Sequence, residues 1–349
     1  MKKSRQIVNG VIGVVILMIL STSCKKDQTS NPPAVVVPKY QVVFNPNGGK
    51  PSPDVQVVDS ARNAVKPNGI KLQHYQIYGW SLDANGTEMF DFSTPITKDI
   101  ILYAQWETDE TAFTTRPASQ AGTGAAITSG VEITGLIDVC KVAPRVTIPD
   151  SIGGVSVTGI ASEAFMNDSS MLSIKLPKNL ISIGINWYSN SSTFKGCKNL
   201  KSIVIPSSVT QIGVSAFESC MGLEKFEFTQ TSSFTDFGYN VFLYCSSLKQ
   251  VTLPSSMTKV FTYLFNGCTG LEKITLPSTI TEIQDGAFRF CVSLDTVVIN
   301  REASEGITTL AAVTVFDLCD LKAIKVPANS VGAYKDAKYW SIFKDLIFK

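Results

Sequence analysis

Cys197, Cys220, Cys245, Cys268, Cys291 and Cys319 share one setting: each stands three residues after a phenylalanine. A thiol so placed could ligate a metal, form half of a disulfide, attack as a nucleophile, or fill space as a small apolar side chain. The chain holds a single histidine, His74, which leaves little for mixed Cys/His zinc sites or Cys–His activation. No C-x-x-C spacing occurs among the cysteines, and there is no P-loop, dinucleotide-binding glycine fingerprint or G-x-S-x-G elbow. The six thiols are therefore read as a stack of small, half-buried side chains. Disulfides between neighbouring copies are the alternative, since adjacent coils hold Cα atoms about 5 Å apart, inside the bonding range of about 4.4–6.8 Å. No catalytic residue, metal or cofactor is expected, and the chain is read as not an enzyme.

The elements that would position these thiols belong to a repeat. Phe165, Phe194, Phe217, Phe242, Phe265, Phe288 and Phe316 align, with a base spacing of 23 residues, and Asp168 takes the Cys slot in the first copy. A period of this length signals a solenoid. In L-E-K-I-T-L-P, Ile274 and Leu276 share one strand face, Thr275 points the other way, and Pro277 ends the strand. Ile280 and Ile283 then return apolar side chains inward before Ala287 and Phe288 open the next turn. One coil cannot bury these side chains alone, whereas stacked coils can. About eight coils with short strands are expected over 125–349, and Ala333 to Tyr339 is expected to form a helix over the last of them.

Three departures from the period stand out: GINWYSNSS, TQTSSFTDFGYN and NREASEGITT. Insertions in a solenoid bulge from one side, where specificity varies, and Tyr and Trp are frequent interface anchors. Trp187, Tyr188 and Tyr239 are thus candidate partner-binding residues, with folding back onto the coil ends as the bland alternative. The outward strand positions Lys175, Val204, Glu227, Thr252, Thr275, Val298 and Lys325 form no basic stripe, and the formal net charge is only +2. Both facts argue against nucleic acid.

Before the repeats, residues 39–107 read as a compact β-rich module. Asn47-Gly48-Gly49 is a turn signal, and strand-like runs cover 40–44, 54–58, 75–80 and 100–106. Residues 108–124 read as a linker or the first turn of the next domain. At the N-terminus, MKKSRQ precedes a short apolar run from Ile7 to Leu20, the pattern of a signal peptide over 1–23. Polar and Pro-rich residues 24–38 form a tether.

Three resemblances carry these readings further. Leu20-Ser21-Thr22-Ser23-Cys24 resembles the lipobox of bacterial lipoproteins, which implies acylation of Cys24. VVFNPNGG followed by YGWSLDANGTEMFDFSTPITKDIILYAQW resembles the Listeria–Bacteroides repeat of bacterial surface proteins, which implies a β-grasp-like fold with Trp80, Phe92, Tyr103 and Trp106 in its core. His74, in a polar setting just before the Tyr75 strand, reads as an exposed loop residue. The F-x-x-C-x-x-L-x-x-I-x-L-P repeat resembles the leucine-rich repeat of the BspA family. That resemblance implies an exported, outer-membrane or cell-surface protein, adhesin-like, whose solenoid engages a protein partner on host matrix or another cell. The alternatives are a surface glycan-binding protein that aids polysaccharide capture, and a structural envelope protein.

Overall fold

The computed structural model describes residues 36–118, 129–140, 144–184, 191–229 and 234–349. The first unit is a four-stranded mixed sheet of β1 (Lys39–Asn45), β2 (Gln56–Asp59), β3 (Tyr75–Ser81) and β4 (Ile100–Thr108), ordered β2-β1-β4-β3. The central β1–β4 pair is parallel and the outer pairs are antiparallel, a β-grasp-like arrangement. Val42, Phe44, Trp80, Leu102 and Ala104 fill its core. Trp106 lies over the Asn-Gly-Gly turn and donates its indole N–H to the Pro46 carbonyl at 3.1 Å. A Cβ on Gly49 would collide with that indole, so the glycine and the tryptophan of the motif are one packing requirement.

The segment expected as a linker is structured for its first half. Glu110–Ala112 form a 3-10 turn capped by Asp109. β5 (Phe113–Pro117) then pairs antiparallel with β6 (Val131–Leu136), where Phe113 and Leu136 are buried. Its Thr-rich composition misled because every residue of β5 after Phe113 faces solvent. The module also docks on the repeats. Thr108 on β4 exchanges hydrogen bonds with the Thr147 backbone at 2.9 and 3.2 Å, and the Thr147 hydroxyl donates to Glu107 at 2.5 Å. Tyr75 packs against both cores, and burial, with the Cys140 thiol beside it, pushes its hydroxyl up to about 12. His74 is half-buried rather than exposed: its φ is 68° and its Nδ1 lies 2.8 Å from the Thr111 hydroxyl.

The repeats build two parallel sheets and a turn edge. Sheet A collects the L-x-x-I-x-L strands, such as Ser202–Ile205 and Lys225–Phe228 or Lys273–Leu276 and Thr296–Ile299. Sheet B collects the short return strands, such as Ser182–Ile183, Gln211–Ile212 and Glu282–Ile283. Between them the proline carbonyl closes a turn: Pro206, Pro254 and Pro277 accept from Val209, Met257 and Ile280, each at 3.1 Å. That turn brings Val209, Met257 and Ile280 inward, all fully buried.

The turn edge carries the phenylalanines and cysteines. Phe165, Phe194, Phe217, Phe242, Phe265, Phe288 and Phe316 stack in sequence, with centroids 5.1 to 5.9 Å apart and planes within 14° of parallel. Each thiol donates to the carbonyl of the preceding coil's phenylalanine: Cys220 to Phe194, Cys245 to Phe217 and Cys291 to Phe265 at 3.0 Å, and Cys268 to Phe242 at 3.2 Å. Cys197 through Cys291 are fully buried, deeper than the half-buried stack expected, and all are free thiols. The turn needs a left-handed residue two positions after every phenylalanine: Asn167, Gly196, Ser219, Tyr244, Gly267, Phe290 and Leu318 all have φ between 58° and 75°.

The closing cap differs slightly from expectation. The helix is Val331–Asp336, starting two residues earlier and ending three earlier than the segment 333–339, because Ala337 is extended and Tyr339 has φ 67°. Tyr334 and Trp340 plug the last coil, and Trp340 donates its indole N–H to the Thr308 carbonyl at 2.7 Å. Ile347–Phe348 adds a final parallel strand to sheet A.

The thiol ladder yields a direct check. Titration with a thiol reagent leaves Cys197, Cys220, Cys245, Cys268 and Cys291 unreacted in the native chain and finds all of them after denaturation without reductant. Cys268→Ala costs about 1–2 kcal/mol in denaturant melts, from the lost bond and the small void.

Candidate functional site

The second insertion lies in the coil whose core departs from the aliphatic pattern of the others. In the third copy the inward strand positions are Phe226 and Phe228, where the other copies hold Ile, Leu or Val. Two insertion residues, Phe234 and Phe237, turn inward and are buried. Their rings meet Phe226, Phe228 and Phe242 in one cluster, with centroids 4.5 Å apart for Phe234–Phe237, 4.8 Å for Phe228–Phe234 and 4.6 Å for Phe226–Phe242. This coil takes 25 residues from Phe217 to Phe242 against 23 for the next. Four rings stand where the other coils hold mainly aliphatic side chains. Sheet B breaks at this coil, between Asp236–Phe237 and Lys259–Val260, and sheet A, already interrupted between Ser173–Lys175 and Ser202–Ile205, breaks again one coil later, after Gln250–Val251.

The break in sheet B opens a cavity of about 560 Å³ lined by Val214, Thr235, Asp236, Phe237, Tyr239, Thr258, Lys259 and Phe261. Tyr239 stands at its rim and is 58% exposed. Asp236 lies on the outward face of its strand, in register with Gln211 of the previous coil. Burial pushes its carboxyl above the ordinary range. The Gln211 side-chain oxygen is itself buried with no hydrogen-bond partner. Lys259, across the break, is taken by Glu282 at 2.9 Å. The cleft thus joins an aromatic floor to a carboxyl held above its ordinary range and a half-exposed tyrosine. That is the chemistry of a recognition surface.

Of the other candidates, Trp187, Tyr188 and Cys24 lie outside the described residues. The third insertion is not a free loop. Arg301 donates to the carbonyls of Glu305, Gly306 and, at 2.8 Å, Ser278, while Ala303 and Glu302 bond the Ser330 hydroxyl of the cap. It folds back because the cap offers it a hydrogen-bonding surface. The thiols are not activated: burial pushes Cys220, Cys245, Cys268 and Cys291 up, leaving no accessible thiolate near neutral pH. Among the described residues no three His, Cys, Asp or Glu side chains converge as a metal site.

Sequence reasoning missed Asp236, Gln211 and the left-handed tyrosines of the turn edge. Only register places the first two opposite each other. The third group would show only to a reader who knew that the slot two residues after Phe has positive φ.

Parallel strands stacked coil on coil, a proline-closed turn and a Phe ladder define a leucine-rich-repeat solenoid. The sequence signature of the BspA type leucine-rich-repeat region matches residues 140–193, 190–311 and 232–337, and the chain belongs to that family. The Listeria–Bacteroides repeat domain matches residues 40–105. Among solved structures, the chain is similar to a leucine-rich-repeat protein of T. pallidum, with 27% identity, 55% of this chain and 81% of that one covered, and a TM-score of 0.47. It is also similar to a leucine-rich-repeat protein of Bacteroides ovatus, with 23% identity, 62% and 58% covered, and a TM-score of 0.39. A third likeness is to the pneumococcal vaccine antigen PcpA, with 18% identity, 53% and 62% covered, and a TM-score of 0.27. No curated protein matches the chain.

The Asp236 environment makes a signed prediction. A carboxyl raised by burial favours its neutral form in the fold, so its contribution is greatest at low pH and is lost as pH rises through the folded value. Asp236→Asn removes that penalty and supplies an amide donor beside Gln211. The melting temperature rises by about 1–2 °C at pH 7, and the gain disappears below about pH 4.

Proposed function

We propose that this chain is a lipid-anchored binding protein displayed on a bacterial surface, and that its solenoid engages a protein partner at the sheet B cleft. In this reading residues 1–23 direct export, Cys24 carries the acyl chains, and residues 24–38 are the tether. The β module at 39–107 spaces the solenoid from the membrane. Membership of the BspA-type family supports a surface role. The observation that carries the partner assignment is Tyr239, exposed above a phenylalanine-lined cavity that exists because the coil pattern fails there. A tyrosine beside a preformed apolar pocket is the usual anatomy of a binding hot spot.

Protease treatment of intact cells tests the display. Loss of the full-length chain while a periplasmic control survives supports it, and protection of both sinks it. Cys24→Ser moves the chain from the membrane fraction to the soluble exported fraction. For the partner, capture on immobilised matrix proteins is measured with the native chain and Tyr239→Ala. The expected weakening is about tenfold or more. Equal capture by both rejects the cleft.

A further inference from the structure

Away from the cleft, the turn edge carries two tyrosines at slots where the turn itself imposes a left-handed backbone. Tyr244 has φ 60° and Tyr263 has φ 54°, a left-handed backbone that bulky side chains rarely adopt. The same slots in the following coil hold Gly267 and Gly286. A Cβ on Gly267 would collide with the Tyr244 ring, and one on Gly286 with the Tyr263 ring. Each ring therefore lies along the edge over the next coil's glycine. Tyr244 is 53% exposed, and packing sets its ring while its outer face stays open. Tyr263 is half-buried, and the turn asks only for a positive φ at these slots, which glycine meets without strain, so the two rings are not required by the fold.

The surroundings say what kind of ligand fits. From Asn240 to Leu248 and from Phe261 to Leu271 there is no charged residue; the polar groups include Asn240, Ser246, Asn266 and Thr269, and Asp285, next to Gly286, has its carboxylate taken by the Thr314 hydroxyl. Ion pairs appear only beyond this strip, Lys195–Glu218 at 2.8 Å on one side and Arg289–Asp317 at 3.0 Å on the other. The strip is only about 10 Å long at one strand spacing per coil, too narrow for the roughly 800 Å² that each partner of a specific protein pair buries. A pyranose ring presents a face of C–H groups that sits against an aromatic face, while its hydroxyls bond amides and hydroxyls at the edges. We propose that this edge is a binding platform for a neutral glycan chain, with Tyr244 and Tyr263 as its stacking surfaces. The proposal rests on surface display of the array and is independent of the Tyr239 cleft.

The test uses the purified chain on an array of neutral, uronic-acid and sulfated oligosaccharides, then native electrophoresis in gels containing the neutral polysaccharide retained. Neutral glycans bind, and the double change Tyr244→Ala with Tyr263→Ala weakens retention at least tenfold while Tyr239→Ala leaves it unchanged. Tyr244→Asn, which suits the left-handed backbone, keeps the fold intact by melting temperature and still loses retention. Binding to charged glycans alone, no glycan binding, capture of matrix protein without glycan, or equal retention by the tyrosine variants each overturns it.

Discussion

From Phe165 to Phe288 each phenylalanine carbonyl on the turn edge accepts two hydrogen bonds, and the order of the coils depends on that sharing. Phe194 accepts the amide of its own coil's Cys197 at 3.1 Å and the thiol of the next coil's Cys220 at 3.0 Å. The first bond closes the turn and the second ties it to its neighbour. A thiol suits the second role because it is small and loses little when desolvated, yet still donates. Above this line the rings stack, and beside it the backbone runs from coil to coil, as in Phe194 to Ala216 at 2.7 Å and Phe265 to Ala287 at 2.8 Å. Where both sheets break, this edge does not. Phe217 still donates to Val241, Phe242 to Leu264, and Cys245 to Phe217, all at 3.0 Å. The edge is the continuous spine, and the sheets are the parts that vary.

That division explains where the array tolerates irregularity. Four insertion and strand phenylalanines enlarge one coil, yet the next coil resumes the ladder because its turn is held independently of strand pairing. Asp168 shows the same logic at the start. No earlier coil offers a Phe carbonyl, so the slot needs no thiol donor. The carboxylate accepts instead from the Ser170 amide and hydroxyl, and from the Met171 amide.

Much of this was legible because it is periodic. Phe, Cys, Leu, Ile and Pro recur at fixed offsets, and their burial follows from strand alternation and stacking. The module was legible for a different reason: Gly49 and Trp106 constrain one another by steric contact, so the motif states the packing. What could not be read were the outcomes of competition. Phe234 and Phe237 could have pointed outward, and they turn in because Phe226 and Phe228 offer rings to meet. NREASEGITT could have been a free loop, and the cap's Ser330 decides otherwise. The 108–124 segment lacks the apolar alternation of a strand, and it becomes one for five residues because β6 supplies the partner edge.

The ends of the solenoid constrain how anything can reach it. A stack of coils exposes apolar surface and unpaired strand edges at both ends, which must be covered. Here Tyr334 and Trp340 fill the last coil while Ile347–Phe348 occupies the end of sheet A. At the other end, β5 lies beside β6 in sheet B, and the β module closes on Arg145–Thr147 through Thr108 and Glu107. Arg145 adds a contact over the Tyr78 ring at 5.2 Å and donates to the Gly86 carbonyl at 3.3 Å. With both ends taken by the chain itself, a ligand must approach from the side. Two lateral surfaces break the repeat without repairing it, the cleft at Tyr239 and the uncharged edge at Tyr244. The first is made by excess side-chain volume and the second by bulky rings at slots where the turn needs only a positive φ. Neither serves the ladder, which is why binding is sought at both.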